Sequence, residues 1–279
     1  MSPNQDSPAK SWRPLLVIAA ASLVAGFAAG FILADRLNRQ EHDRLRAEAA
    51  RLREAAVAAR RAADGSGAEG GRPSERAGAE GELDIPTLTE DQLRAAVERA
   101  DASPADSELQ RVSGQALYLY AIEKGDAALL PDAARILERA SRLDPRDARL
   151  AVFAGNAHFQ LARQAGEAGP LRRARSLYER ALASDPRDTD ARTSLGLTYF
   201  FDTPPDPQRA AAEYRRALDV DPRAEAPLQG LVAALAAAGR LEEAERRLGE
   251  LAAVNPNNPE LQNLRAQLEQ KRNAAKETP

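Results

Sequence analysis

At 279 residues, with 43% hydrophobic but only 4% aromatic side chains, the chain draws on Ala, Leu and Arg, a helix-forming composition short of the residues that fill strands. Its 39 basic and 42 acidic side chains leave a formal charge of -3, which excludes the strongly basic surface that nucleic acid selects. With no cysteine there is no disulfide framework, no thiolate metal site and no thiol nucleophile.

A polar tail over residues 1–14 leads into Leu15 to Ala34, LLVIAAASLVAGFAAGFILA, 20 residues without a charge. At about 1.5 Å rise per residue this matches a hydrocarbon core of about 30 Å. Trp12, Lys10 and Arg13 at its entrance suit an interface. The run exceeds the roughly 7 to 15 residues of a signal-peptide core, and no persuasive A-x-A site follows, so a single-pass, uncleaved anchor in the cell (inner) membrane is expected over residues 15–34. Ser22, Gly26, Gly30 and Ala34 recur every fourth residue, a ridge of small side chains against which a second helix could pack, and so a candidate for homo-oligomerisation in the bilayer. Two Lys or Arg precede the span and six follow it from Arg36 to Arg53, which favours a cytoplasmic C-terminal part. Acidic residues interrupt that basic run, and single-span proteins with short polar N-termini also export long C-terminal domains.

Residues 35–64 contain no Gly or Pro and place Asn38, Leu45, Leu52 and Ala59 at sevens, with His42, Ala49 and Ala56 between them. This is a helical stalk, either a short Ala-rich coiled coil or a lone helix laced with opposite charges. Residues 65–85 change character: GSGAEGGRPSERAGAEGELD holds six glycines and nothing larger than Ala among its aliphatic residues before Leu83. It reads as a disordered linker, because it cannot bury enough apolar surface to offset chain entropy.

Beyond the linker the chain repeats. Thr89-Glu-Asp-Gln92 is a capping-box signature opening a helix that caps the repeats over residues 86–106. Pro104, Pro145, Pro186, Pro222 and Pro256 follow at separations of 41, 41, 36 and 34 residues, four of them in the contexts LDPRD, SDPRD, VDPRA and VNPNN. Twelve residues before the last four prolines stand Ala133, Ala174, Ala210 and Ala244, and four residues after each alanine come Leu137, Tyr178, Tyr214 and Leu248. Gly114, Gly155 and Gly196 recur at 41. Small residues let two antiparallel helices approach, the large residue fills the space between neighbouring pairs, and Pro after Asp ends a unit. The units expected are helix hairpins at about 107–147, 148–188, 189–224 and 225–258, followed by a capping helix and tail over 259–279 with Leu261, Leu264 and Leu268 on one face.

The stretch Leu195-Gly196-Leu-Thr-Tyr199, then Ala210-Ala-Ala-Glu-Tyr214, then Pro222 resembles the tetratricopeptide repeat (TPR), and with the N-terminal span the chain resembles membrane-anchored bacterial TPR proteins. The resemblance implies an all-α fold, an α-solenoid of antiparallel helix pairs. The extra residues of the first two units fall around KGDAALLP and RQAGEAGP and those of the third in FDTPPDPQ, which are expected as longer turns. The family's early Trp is replaced by Ala151 and Arg192, and Val232 stands where the last unit's glycine is expected.

The resemblance also implies that first helices line an inner face that takes a peptide or a partner's helix. Tyr118, Phe159 and Phe200, each four residues after a glycine of the column, are expected there as an aromatic ladder. Glu108, Arg111, Gln115, Arg149, Val152, Asn156, Asp190, Thr193 and Leu197 share that face. The alternative is that these rings pack against the enlarged turns of their own repeats. Asn156 stands where some family members place an asparagine of a carboxylate clamp, but Val152 replaces the accompanying lysine. No metalloprotease, P-loop or dinucleotide motif is present, and His158 is the one imidazole in the repeats, so neither catalysis nor a metal or cofactor is expected. The function expected is that of a membrane-anchored scaffold or adaptor binding a protein or peptide, without nucleic acid. An assembly factor holding an unfolded client, of the cytochrome c maturation or secretion type, and a structural self-associating membrane protein are the alternatives.

Overall fold

The computed structural model describes residues 89–166 and 168–277. The expected membrane span, stalk and linker lie outside the described residues, as do Ser22, Gly26, Gly30 and Ala34. No helix among the described residues is long and apolar enough to cross a membrane.

The recurring Asp-Pro strings act as joints. In both DPRD copies the first Asp accepts a hydrogen bond from the backbone N–H two residues on, Asp144 from Arg146 at 3.2 Å and Asp185 from Arg187 at 3.0 Å. The second Asp is the N-cap of the next helix, Asp147 accepting from Arg149 N–H at 2.9 Å and Asp188 from Ala191 N–H at 2.8 Å. Asp106, Asp221, Asn255 and Asn258 repeat one half or the other of this arrangement. The chemistry is local: Pro removes a donor and bars helix continuation, while short side-chain acceptors satisfy the N–H groups that a turn and a helix start leave open.

Ten α-helices result among the described residues. Helix α1 (Glu90–Ala102) opens on the predicted capping box, with Thr89 and Gln92 each bonding the other's backbone N–H. Then α2 (Ser107–Lys124) pairs with α3 (Leu130–Leu143), α4 (Ala148–Ala165) with α5 (Ala168–Ser184), α6 (Thr189–Phe200) with α7 (Pro207–Val220), and α8 (Glu225–Ala237) with α9 (Leu241–Val254). Helix α10 (Leu261–Glu277) closes the stack, with Leu261, Leu264 and Leu268 buried against α8 and α9.

The column residues hold the hairpins shut. Ala133, Ala174, Ala210 and Ala244 have no exposed surface. A Cβ on Gly114, Gly155 or Gly196 would stand 2.8 Å from Leu137 Cγ, 2.6 Å from Tyr178 Cε1 and 2.6 Å from Tyr214 Cε1, so each glycine is the seat of its own unit's large residue. In the last unit Val232 stands at the column position, and Gly230 beside it receives the large residue of the preceding unit, a Cβ there standing 2.6 Å from Tyr214 Cζ. Tyr214 is therefore clasped between glycines of two successive first helices.

The extra residues of the first two hairpins go mostly into helices, α2 and α4 having 18 residues each against 12 for α6, while the first hairpin also has the longer turn expected, with a 3-10 turn over Ala127–Leu129. The reason is cap placement. Gly125 and Gly166 stop α2 and α4 in the left-handed region at φ 66° and 67°, and α5 restarts at Ala168, with Pro170 in its first turn where the missing N–H costs nothing. In the third hairpin the extra residues do form a turn, between Phe200 and Pro207, closed by Asp206 capping α7.

First helices of successive hairpins approach one another more closely than second helices do, so the stack curves with α2, α4, α6 and α8 inside. The apolar core divides along the stack into three clusters, one under α1 to α4, one around α4 to α6 and one from α7 to α10. Under α1, buried Gln110 donates to the carbonyls of Ala100 and Ser103 at 2.5 and 3.0 Å, satisfying acceptors that the end of α1 would otherwise leave unpaired.

Candidate functional site

The inner face is nearly closed. Val152, Asn156, Thr193 and Leu197, at the middle level of α4 and α6, are buried. Glu108, Arg149 and Asp190 stand exposed at the first turns of α2, α4 and α6, and Arg111 and Gln115 are half-buried on α2. Arg111 is engaged, donating to Glu108 and, at 3.3 Å, to Gln115. The face therefore offers a charged rim above a floor that a partner touches only in slivers.

The three rings expected as a ladder do not stand together. Tyr118 has no exposed surface and belongs to the first core cluster, Phe159 lies buried in the second, and Phe200 is half-buried against the third. Equal spacing in sequence sets equal heights in the stack, but the curvature between hairpins brings neighbouring helices over the first two rings. What forms instead is a ring cluster at the end of α6. Phe159 meets Phe201 edge-on with centroids 5.8 Å apart, and Phe201 meets Phe200 edge-on at 5.5 Å. Beside them Arg175 of α5 lies 4.3 Å over the ring of Tyr199 and anchors there by bonding Asp202 at 2.6 Å and the Thr198 carbonyl at 3.0 Å. Burial pushes the Tyr199 hydroxyl up from its ordinary value, and Arg175 holds the Asp202 carboxyl below its own despite partial burial. Tyr199, Phe200 and Phe201 all keep part of their surface open. Phe201 carries no signal at a 41-residue period, and Tyr199 enters the repeat pattern only as a residue that packs helices, which is why neither is marked as a site residue. Their signal is a different one, three consecutive aromatics running into a proline-rich turn.

Asn156 is committed within the fold. Its Oδ1 accepts from the Tyr178 hydroxyl at 2.6 Å, which ties the two helices of the second hairpin together.

On the outer side, polar groups tie successive hairpins. Asp101 receives Arg135 and Arg139 of α3, Arg139 at 3.2 Å. Glu138 receives Arg142 at 2.6 Å, Arg173 and, at 3.0 Å, His158 Nε2. Desolvation disfavours the Glu138 charge, but Arg173 and His158 outweigh it and hold the carboxyl below its usual value. Burial lowers the His158 pKa from its ordinary value, against the pull of Glu138. Glu225 accepts from Asn255 at 3.0 Å and Asn258 at 2.6 Å, docking the last joint. A cleft between α9 and α10, of about 270 Å³, is lined by Glu245, Leu248, Arg265, Leu268 and Arg272 and carries charge of both signs.

Residues 206–268, spanning α7 to α10, match the tetratricopeptide repeat family. Solved structures similar to the chain include the MamA protein, at 23% identity and a TM-score of 0.48 over 60% of this chain and 82% of that one. A thermophilic TPR protein of Thermus thermophilus is similar at 21% identity and a TM-score of 0.47, over 64% of this chain and 96% of that one. YrrB, a TPR protein with an unusual peptide-binding site, is similar at 18% identity and a TM-score of 0.46, over 65% of this chain and 86% of that one. None of the curated proteins compared matches the chain.

Proposed function

We propose that the chain is an adaptor whose hairpin stack binds a segment of a partner protein against its inner face, with residues 15–34 holding the stack at a membrane. The observation that carries this reading is the end of α6, where Phe200 and the Phe201 ring packed on it remain partly open while Val152, Asn156, Thr193 and Leu197 of the inner face are closed. A scaffold needs few such anchors: one apolar side chain docked among rings, with polar groups of Arg149 and Asp190 at the rim fixing its register, suits recognition without chemistry. The match of residues 206–268 to the tetratricopeptide repeat supports the same use, since stacked repeats of this kind present extended concave surfaces. The uncharged run from Leu15 to Ala34 supports the tether, which raises the local concentration of whatever is bound.

A photo-crosslinking residue placed at Phe200 in the full chain, expressed in its native cells, is expected to capture a defined protein. The same residue at the exposed Arg246 on α9 serves as the outer-face control. Capture from position 246 and none from position 200 would reverse the reading. Deleting residues 15–34 is expected to move the protein from the membrane to the soluble fraction while leaving capture by the isolated stack in place.

A further inference from the structure

The joints between hairpins are not chemically equal. In the 41-residue register Arg142 occupies the place of Asp101, and Arg180 that of Arg139. At the first joint the Asp101 carboxylate sits between two guanidinium groups, those of Arg135 and Arg139. At the second, where Asp101 has become Arg142, Arg180 reaches from α5 across to α3 and finds the Ser141 hydroxyl at 2.5 Å, with no carboxylate among the described residues in ion-pair range. Glu138 is already shared by Arg142, Arg173 and His158. Two guanidinium groups thus hold one carboxylate, with the third, that of Arg180, beside them and outside ion-pair range of it. Burial, and then the like charges of Arg142 and Arg173, disfavour the Arg180 charge, while Glu138 offsets part of that cost. Arg142 and Arg173 are more than half exposed, at 55% and 56%, so the cluster is open to an incoming group.

We propose that Arg142, Arg173 and Arg180 form a receptor for a carboxylate on an acidic segment of a partner protein, the external group taking the place that Asp101 fills at the first joint. At the first joint a carboxylate at this register position is held by Arg135 and Arg139 at once; at the second, Arg180 keeps the place of Arg139 and Ser176 stands in that of Arg135, while Arg142 and Arg173 add guanidinium groups, whose planar form matches a carboxylate in a paired geometry. The receptor lies between the second helices α3 and α5, apart from Phe200 on the inner face, so it can hold or fail independently of the inner-face reading. Its partner is expected to be acidic where it meets α3 and α5.

The test uses the full chain in neutral detergent, with a fluorescein-labelled oligoglutamate peptide as probe and anisotropy as readout. Oligoglutamate is expected to bind at low ionic strength and oligoglutamine not to bind. Arg142→Asp and Arg180→Gln are each expected to weaken binding by at least about fivefold. Arg216→Gln, at the register mate of Arg180 that already pairs with Glu213, should leave binding unchanged. Arg142→Asp exchanges a receptor arginine for a carboxylate at the register position of Asp101, so binding is lost; the melting temperature of each variant, measured alongside, separates loss of the receptor from loss of fold. Absence of oligoglutamate binding, equal weakening by all three variants, or stronger binding of inorganic phosphate or anionic lipid vesicles through the same arginines would overturn the proposal.

Discussion

Tyr178 and Tyr214 occupy the same column and the same kind of seat, each ring against the glycine of its own first helix. Their hydroxyls fare differently. Tyr178 donates to Asn156, whereas the Tyr214 hydroxyl is buried with no hydrogen-bond partner among the described residues, and burial raises its pKa well above the ordinary phenol value. The cause is one substitution in register: Leu197 stands where Asn156 does a unit earlier. An unpaired buried hydroxyl carries a desolvation cost of about 1–3 kcal/mol. Tyr214→Phe is therefore expected to be neutral or to stabilise the domain by up to about 1 kcal/mol, and Tyr178→Phe to destabilise it by about 1 kcal/mol or more. Urea unfolding of both variants checks the sign. Destabilisation by Tyr214→Phe as large as by Tyr178→Phe would mean that the Tyr214 hydroxyl has a partner in solution.

At the scale of the helix, the hairpin depends on what its glycines leave out. A Cβ at position 155 would fall 2.6 Å from the Tyr178 ring, which is fully buried and fixed by Asn156, so the ring cannot retreat without breaking that bond. Gly249, within α9, has open space where its Cβ would be. Gly155→Ala is expected to cost about 1–3 kcal/mol by overpacking, while Gly249→Ala gains roughly 0.5–1 kcal/mol from lowered chain entropy. Opposite shifts in melting temperature for the same substitution in two helices would confirm that packing, and not helix propensity, decides at position 155. The same contrast explains what could be read from the sequence. The alanine, glycine and Asp-Pro columns were legible because each states a steric or hydrogen-bonding demand met within one hairpin or one joint. The lengths of α2 and α4 were not, because KGDAALLP and RQAGEAGP contain turn residues whose early members still extend a helix up to a left-handed glycine. Nor was the fate of Tyr118 and Phe159, since a period predicts which residues share a level and says nothing about how tightly curvature closes the face above them. Arg142 and Arg180 escaped notice for a related reason: their meaning comes from comparison with Asp101 and Arg139 across a joint, not from either helix alone.

For the whole molecule, stability should divide along the stack. Each hairpin touches chiefly its neighbours, the core is split into three clusters, and distinct polar ties cross each joint, Asp101 with Arg139, Glu138 with Arg173, Arg175 with Asp202, Arg215 with Glu243, and Glu225 with Asn258. Such a chain behaves as a row of units whose stability is a sum of intrinsic and nearest-neighbour terms, so damage at one end need not spread to the other. Glu225 is the place to test this, because its carboxylate alone collects the amides of Asn255 and Asn258 and so fixes the joint from which α10 starts. Glu225→Ala leaves both amides without that acceptor and is expected to weaken the docking of α10 by about 1–3 kcal/mol. Hydrogen exchange read helix by helix should then show faster exchange across α9 and α10, while α2 and α3 exchange as before. Equal loss of protection in α2 would show that the stack opens as one cooperative body. In that case the ring cluster on α6 and the arginine cluster at the second joint, two joints and one joint from the N-terminal cap, could not respond to partners separately, and binding at one would be expected to stiffen the other.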